Sequence, residues 1–382
     1  MDFDLTYEQL AVKRMVREFA EREVAPVAEG LDEREEFPYA LVHKMGELGL
    51  MGLPFPERYG GGGADTVSYA IAVEEIARVD SSLAITLAAN VSLGGSPIYL
   101  FGSEEQKQHW LRPLAEGKWL GAFGLTEPGA GSDSGNTSTT AELDGDEWVI
   151  DGSKMFITNS GTEISGFVSV TAVTGRRSKD KKEISSIIVP RGMPGYTQSK
   201  PLKKTGWHAS DTRELFFENC RVPRENLLGE RGAGLRQFLT VLDGGRISVA
   251  AIGVGLAQGA LEQSLQYAKQ RSQFGRPIST LQAVQFKLAD MAVNVELARL
   301  ITYKAGVLKD EGKDFATVAG MAKLFASEIA VKCAEEGVQI HGGYGYMREY
   351  SISRFYRDAK ILTIGEGTSE IQRLILARHL GC

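Results

Sequence analysis

The spacing of apolar residues along this 382-residue chain changes twice, and those two changes restrict its fold more than any single motif. Ahead of Trp119 the spacing is helical. Thr6-x-x-Gln9 has the form of a capping box, and Val12, Met15, Val16 and Phe19 follow on one helix face. Pro26 is expected to end or bend that helix. A second helix is expected from Pro38 to Leu48, closed by Gly49, and others near Val67–Val79, Ser82–Leu93 and Glu104–Leu114. Beyond Trp119 the runs shorten to strands: Gly121–Leu125, Thr137–Leu143, Glu147–Ile157, Phe167–Thr174, Ile184–Pro190 and Thr212–Phe217, with a hairpin turn at Asp144-Gly145. No helical pattern separates them, which implies an antiparallel β-barrel or sandwich. After Gly229–Gly234 the helical spacing returns over about Leu235–Gln270, Thr280–Lys309 and Phe315–Gln339, with a short last helix, as in a four-helix bundle. The expected class is therefore α+β and multidomain: an N-terminal α-helical domain over 1–119, a middle β domain over 120–230 and a C-terminal helix bundle over 231–382.

Charge and composition exclude several functions. A net charge of −6 without a Lys/Arg stripe argues against a nucleic-acid partner. The basic run Arg176–Lys182 reads as a solvated hairpin tip. Three scattered cysteines and five histidines indicate neither a disulfide framework nor a metal site. No leader pattern opens the chain and no apolar run reads as long enough to span a bilayer, so a reduced cytoplasmic location without membrane insertion is expected.

The chemistry-bearing candidates sit in loops. Glu366 lies between Gly365 and Gly367, after the apolar segment Ile361–Ile364 and before a helix whose Ser369 and Gln372 have capping-box spacing. Apolar surroundings raise a carboxyl pKa and a helix N-terminus opposes that, so Glu366 suits a general base, or simply an acid favoured by the helix dipole. Gly124–Asp133 places small residues and hydroxyls after a strand, as a polar-ligand loop or a flexible one. The nearly uncharged Ser82–Leu93 segment is core or pocket wall. Gly253-x-Gly255-x-x-x-Gly259 has the wrong spacing and no preceding strand for a dinucleotide fingerprint. Gly342–Gly345 reads as a helix cap and turn, and Arg271–Pro277 as an inter-helix loop.

In sequence order these segments resemble the acyl-CoA dehydrogenase family along nearly the full length, and most closely its short-chain, butyryl-CoA-like branch. The matching residues are Leu125-Thr-Glu-Pro-x-Ala-Gly-Ser-Asp133, Phe156-Ile-Thr-Asn159, Leu242-Asp-Gly-Gly-Arg-Ile247, Gln270-Arg-x-x-Phe-Gly275, Leu281–Asp290, Gln339-Ile-x-Gly-Gly-x-Gly345, Arg357-Asp-Ala-Lys-Ile361 and Glu366-Gly-Thr-Ser-Glu370. The resemblance implies FAD between the β domain and the bundle, partly held by a neighbouring subunit. Phe123, Leu125, Thr126, Gly131 and Ser132 would approach flavin and substrate, and Phe156, Ile157 and Thr158 would line one flavin edge. Arg271, Phe274, Gln282, Gln339, Ile340, Gly342 and Gly343 would hold the dinucleotide half across the subunit boundary, with Thr368 and Glu370 completing the site. Many relatives carry tryptophan where this chain has Phe156.

The resemblance also implies the reaction: Glu366 takes the α-proton of an acyl-CoA thioester while the β-hydride passes to flavin N5, giving the trans-2-enoyl-CoA. The family's alternative base position, one residue before the bundle arginine, is Gly245, so only Glu366 is available. Arg246 would orient the Glu366 loop, while Asp243, Ser132, Arg246 and Gly367 would meet substrate. Relatives often carry tyrosine where this chain has Gly365, so short-to-medium acyl groups, branched or cyclic ones included, are expected. An electron-transferring flavoprotein as acceptor and a homotetrameric assembly are implied in the same way. The alternatives are a member that reduces enoyl-CoA or uses oxygen, and a non-catalytic acyl-CoA or flavin-binding homologue.

Overall fold

A computed structural model describes residues 4–178 and 181–382. Its first helix, Tyr7–Phe19, starts at the expected capping box: Thr6 Oγ1 accepts the Gln9 N–H at 3.2 Å, and Gln9 Oε1 accepts the Thr6 N–H at 3.0 Å. Pro26 does not stop it. A wide π-helical turn, Ala20–Val24, carries the chain into a second helix, Ala25–Arg34, with the proline in its first turn, where no N–H is needed. The Thr66–Ala77 helix is buried on every side. Its Glu74 accepts from Arg299 (2.9 Å) and Tyr303 (2.8 Å) and its Glu75 from Arg17 (2.9 Å), so no buried carboxylate is left without a partner there.

The expected Ser82–Leu93 helix is Ser81–Ala88 followed by a π-helical segment, Ala89–Gly95, and a further helix, Ser96–Phe101. π turns inside helices are frequent at functional positions. This one aims Asn90 at the β domain, where its side-chain carbonyl accepts the Gly121 N–H at 3.0 Å. The expectation that no apolar run is long enough to span a bilayer does not hold. Ser81–Phe101 and Gly234–Gln270 are each long and apolar enough, by length and composition, to cross a bilayer. Most of each lies inside the protein, where isolated polar residues such as Asn90 and Ser248 find protein partners.

The middle region is a curled seven-stranded sheet. Its strands are β1 (Leu120–Gly124), β2 (Thr140–Asp144), β3 (Glu147–Thr158), β4 (Ser165–Ser178), β5 (Lys181–Pro190), β6 (Tyr196–Gln198) and β7 (Thr212–Pro223). Their order is β1-β4-β2-β3-β7-β6, with β5 on the free side of β4. Most pairings are antiparallel, but β1 pairs β4 in parallel because the β2–β3 hairpin intervenes between them in the chain. β6 carries no period long enough to read in the sequence. The tip of the expected Arg176–Lys182 hairpin includes residues 179–180, which lie outside the described residues; β4 and β5 flank it, pairing Arg176 with Lys182.

The C-terminal helices Gly234–Gln270, Gln282–Asp310, Ala316–His341 and Ser369–His379 pack as the expected bundle, with Ile352–Ala359 beside them. The glycines at 253, 255 and 259 let the first of these helices touch its neighbours backbone to backbone. A β-carbon at Gly255 would stand 2.2 Å from the Glu74 carbonyl oxygen, and one at Gly253 2.8 Å from that of Ala326. Asp358 joins the three regions: its carboxylate accepts the Trp207 N–H (2.7 Å) of the β6–β7 connection and the Ser81 hydroxyl (2.8 Å) of the N-terminal region. Burial, and then the nearby Asp80, push its carboxyl up to about 6. Gly255→Ala gains helix propensity yet forces the two backbones apart, so it is expected to destabilise the fold by about 1–3 kcal/mol, read as a lower Tm in calorimetry.

Candidate active site

The Ile361–Ile364 segment tightens into a 3₁₀ turn, Lys360–Thr363, and throws the next residues into a sharp loop. Glu366 has φ +52° and Gly367 φ +93°, a left-handed pair that only glycine adopts without cost. The helix that follows is capped by Thr368, whose hydroxyl accepts the Ile371 N–H at 3.2 Å, and not by Ser369 as its spacing suggested. Gln372, fully buried, reaches back past the cap instead, and its amide lies 3.3 Å from the carbonyl oxygens of both Glu366 and Gly367. The Lys323 ammonium, also fully buried, donates to the Gly367 carbonyl at 2.6 Å.

With its backbone held this way, the Glu366 side chain turns inward. Glu366 as a whole is half-buried, but both carboxylate oxygens are shielded from solvent and have no hydrogen-bond partner among the described residues. A β-carbon on Gly245 would lie 2.3 Å from Glu366 Oε2 and 3.6 Å from Leu93 Cδ2, so the missing side chain is the space the carboxylate fills. Burial raises the Glu366 carboxyl to about 7, against the opposing charges of Lys323 and then Arg246. Arg246 is buried and bonds Asp243 at 2.5 Å, while its Nε has no partner among the described residues. The structure thus brings Glu366, Gly367, Arg246 and Asp243 together. The cation that bonds the loop, however, is Lys323, which the sequence reading passed over.

The β-domain candidates form a second group, held by a buried ion pair. Lys154 Nζ and Glu127 Oε1 are 2.7 Å apart with both side chains out of solvent. Glu127 also accepts from the Ser138 N–H and hydroxyl and the Thr139 N–H, and Lys154 donates to Thr171. Burial alone would raise the Glu127 carboxyl, but Lys154 and these donors outweigh it and hold the acid well below its usual range. This pair anchors the loop running through Gly131 and Ser132, both exposed. The Met155 N–H bonds the Thr126 carbonyl at 2.9 Å, setting Thr126 beside Phe156. Phe156 has φ +62° and is 66% exposed on β3, while Ile157 is buried and Thr158 half-buried. Leu125 is buried, and Phe123 stacks on Phe238 of the bundle, 3.9 Å between centroids.

A third group lines a cavity of about 480 Å³ whose walls include Arg271, Ile278, Ile340, His341, Gly342 and Gly343. Its lining shares no residue with the surroundings of Glu366 described above. Ser272–Gln273 and Arg276–Pro277 pair as a small hairpin, turned by Phe274 (φ +53°) and Gly275 (φ +76°), and Phe274 is 90% exposed. Gln282 and Gln339 are exposed on adjoining helices, and Glu370 is exposed in the first turn of the last one.

Models of the acyl-CoA dehydrogenase N-terminal, middle and C-terminal domains match residues 6–118, 122–220 and 232–381. The chain is 56% identical to the probable acyl-CoA dehydrogenase YngJ of Bacillus subtilis (strain 168), over 100% of both chains. The chain belongs to the acyl-CoA dehydrogenase family. Among solved structures it is similar to butyryl-CoA dehydrogenase from Megasphaera elsdenii, at TM-score 0.96 and 44% identity over 100% of both chains. It is also similar to an acyl-CoA dehydrogenase complexed with FAD from Bacillus anthracis, at TM-score 0.92 and 39% identity, covering 99% of this chain and 67% of that one. Acyl-CoA dehydrogenases are FAD-dependent oxidoreductases, and their fold of helical, curled-sheet and helical regions is the one observed.

The residues present fit that cofactor. The Arg271 guanidinium has no carboxylate partner among the described residues and stands 5.4 Å from the centroid of the Tyr344 ring, and β-carbons at Gly342 and Gly343 would meet nothing within 4 Å. A cation fork beside open backbone is a donor set for a diphosphate. The exposed Phe156 ring offers a flat apolar surface. Glu127→Gln is expected to leave the Lys154 charge buried without its counter-ion, costing about 3–5 kcal/mol in chemical denaturation and loosening the Thr126–Ser132 loop.

Proposed function

We propose that this acyl-CoA dehydrogenase converts a short-to-medium acyl-CoA to the trans-2-enoyl-CoA with Glu366 as the base that removes the α-proton. The observation that carries the reading is the Glu366 carboxylate: buried, without a hydrogen-bond partner among the described residues, and raised to about 7. A general base works best with a pKa near the operating pH, and an unpaired oxygen is free to receive a proton. The Glu366 N–H also has no acceptor among the described residues. It would donate to the thioester carbonyl, stabilising the charge that develops there as the α-proton leaves; one such donor is worth about 3 kcal/mol in comparable sites. Arg246 and Lys323 keep the site net cationic while Glu366 is protonated. FAD, held by Phe123, Leu125, Thr126, Gly131, Ser132, Phe156, Ile157, Thr158, Thr368 and Glu370, and across the subunit boundary by Arg271, Phe274, Gln282, Gln339, Ile340, Gly342 and Gly343, supplies the hydride acceptor. Ser132, Asp243, Arg246 and Gly367 are the proposed substrate contacts.

The acyl tail would run against the π-helical segment, since Leu93 flanks Gly245 and Glu366. Residues 87–95 carry no cation, which disfavours a substrate ending in a second carboxylate. A β-carbon on Gly365 would have only the Ile361 carbonyl within 4 Å, at 3.6 Å. That room supports acceptance of branched or cyclic acyl groups.

The proposed assembly is a homotetramer reoxidised by an electron-transferring flavoprotein. In its support, Phe286, Val293, Leu297, Leu300 and Val307 make an exposed apolar stripe on the Gln282–Asp310 helix at intervals of seven, four, three and seven.

The site makes three expectations testable. Glu366→Gln is expected to retain FAD absorbance and acyl-CoA affinity but to lose about a hundredfold or more in kcat; kcat within a few-fold of wild type would remove Glu366 from the role. Because a base works only when deprotonated, wild-type kcat/KM should climb with pH through a limb near 7, and that limb should vanish in the glutamine variant. Gly365→Tyr is expected to lower kcat/KM for branched or cyclic acyl-CoAs by roughly tenfold relative to straight-chain ones, in a substrate-panel assay.

A further inference from the structure

Lysine is among the side chains least often buried completely, yet Lys323 has no exposed surface. It projects from the third turn of the Ala316–His341 helix toward the Glu366 loop. Its hydrogen bond goes to a backbone oxygen, Gly367 O at 2.6 Å, and no carboxylate lies within ion-pair distance of it among the described residues. Burial depresses its pKa to about 8, and the anion that most counters this is Glu366, ahead of Glu370 and Glu328, with Arg246 acting the other way.

The division of labour is informative. A direct hydrogen bond from an ammonium to the carboxylate would stabilise the charged form and weaken the base. Here the bond holds the peptide next to the base, while the charge reaches the carboxylate only through space. Gln372 supports the same Gly367 carbonyl, and that of Glu366 as well, without bringing charge. The charged and titratable groups that act on Glu366 are Lys323 of the Ala316–His341 helix, Arg246 of the Gly234–Gln270 helix and Tyr69 of the Thr66–Ala77 helix; Asp243 reaches it through Arg246, and Glu370 and Glu328 act on Lys323. Of the two cations that act on Glu366, Lys323 has the larger effect, and Arg246 is already bonded to Asp243.

We propose that Lys323 is the positioning residue of the base: its ammonium fixes the Gly367 carbonyl, and with it the Glu366 backbone, while its charge keeps the enclosed carboxyl ionisable. This rests on the reading of Glu366 as the base. Without Lys323 the carboxyl would face an apolar enclosure with only Arg246 to favour its ionisation.

The test uses the FAD-loaded enzyme and the best acyl-CoA from the substrate panel, comparing the pH dependence of kcat/KM for wild type, K323M, K323Q, K323R and E366Q. K323M and K323Q are expected to keep flavin absorbance and to move the acid limb alkaline by about one pH unit, a roughly tenfold loss on its acidic side. K323R should return the limb toward wild type. On the alkaline plateau K323Q, which can still donate to the Gly367 carbonyl, should exceed K323M. Acid limbs that coincide with wild type overturn the assignment, as does an equal shift in K323R. Flavin loss in all three lysine variants also overturns it, since Lys323 would then serve packing alone. If E366Q turns over near the wild-type rate, the reading of Glu366 itself fails. If E366Q is inactive while the lysine variants titrate as wild type, only the Lys323 assignment fails.

Discussion

A carboxyl group shut away from water without a hydrogen bond is costly unless its surroundings are built to keep it. Around Glu366 several separate elements contribute. The left-handed backbone at 366 and 367 turns the side chain inward, and Gly245 leaves the volume it enters. Gln372 and Lys323 take the carbonyl oxygens of Glu366 and Gly367, so those are satisfied while the carboxylate has no partner among the described residues. Apolar enclosure then raises the acid and two cations limit the rise. These elements come from the bundle's first and third long helices, its last helix, and the 3₁₀ turn Lys360–Thr363.

The other regions are tied to that centre by single buried polar contacts. Asn90 pairs with the Gly121 N–H at the start of β1, which leads directly to Phe123–Thr126. Asp358 holds both Trp207 and Ser81, so the segment preceding the Glu366 loop is fixed to the β6–β7 connection and to the N-terminal helices at once. Glu127 and Lys154 fix the loop after β1 from beneath. Each is a directional bond in a place where water cannot substitute, and it adds orientation to the apolar core that the N-terminal and C-terminal helices share.

How much of this was legible depended on whether the signal was local. Changes of period gave the succession of helices, strands and helices, because burial on one face repeats along the chain. Glu366 between two glycines stood out for the same reason. Lys323 did not: in Met321-Ala-Lys-Leu-Phe325 it reads as an ordinary solvated position, and only the approach of the Gly367 carbonyl makes it otherwise. The cap at Thr368 was misassigned to Ser369 because Gln372, the supposed partner, is drawn away to the loop. Pro26 reads as ending or bending the first helix, and the π turn that carries the chain on into the next helix leaves no mark in spacing. The parallel β1–β4 pairing depends on how the intervening hairpin folds over, which no residue pattern encodes.

The hairpin at Ser272–Pro277 carries a wider implication. Its turn is set by two adjacent left-handed residues, Phe274 and Gly275, and by pairing of Gln273 with Arg276, all within the hairpin itself. The protruding Phe274 ring is therefore mounted on a frame that needs no outside contact to take its shape. The hairpin would surrender little chain entropy in docking that ring on a partner surface, so such docking would be rigid-body association rather than folding coupled to binding.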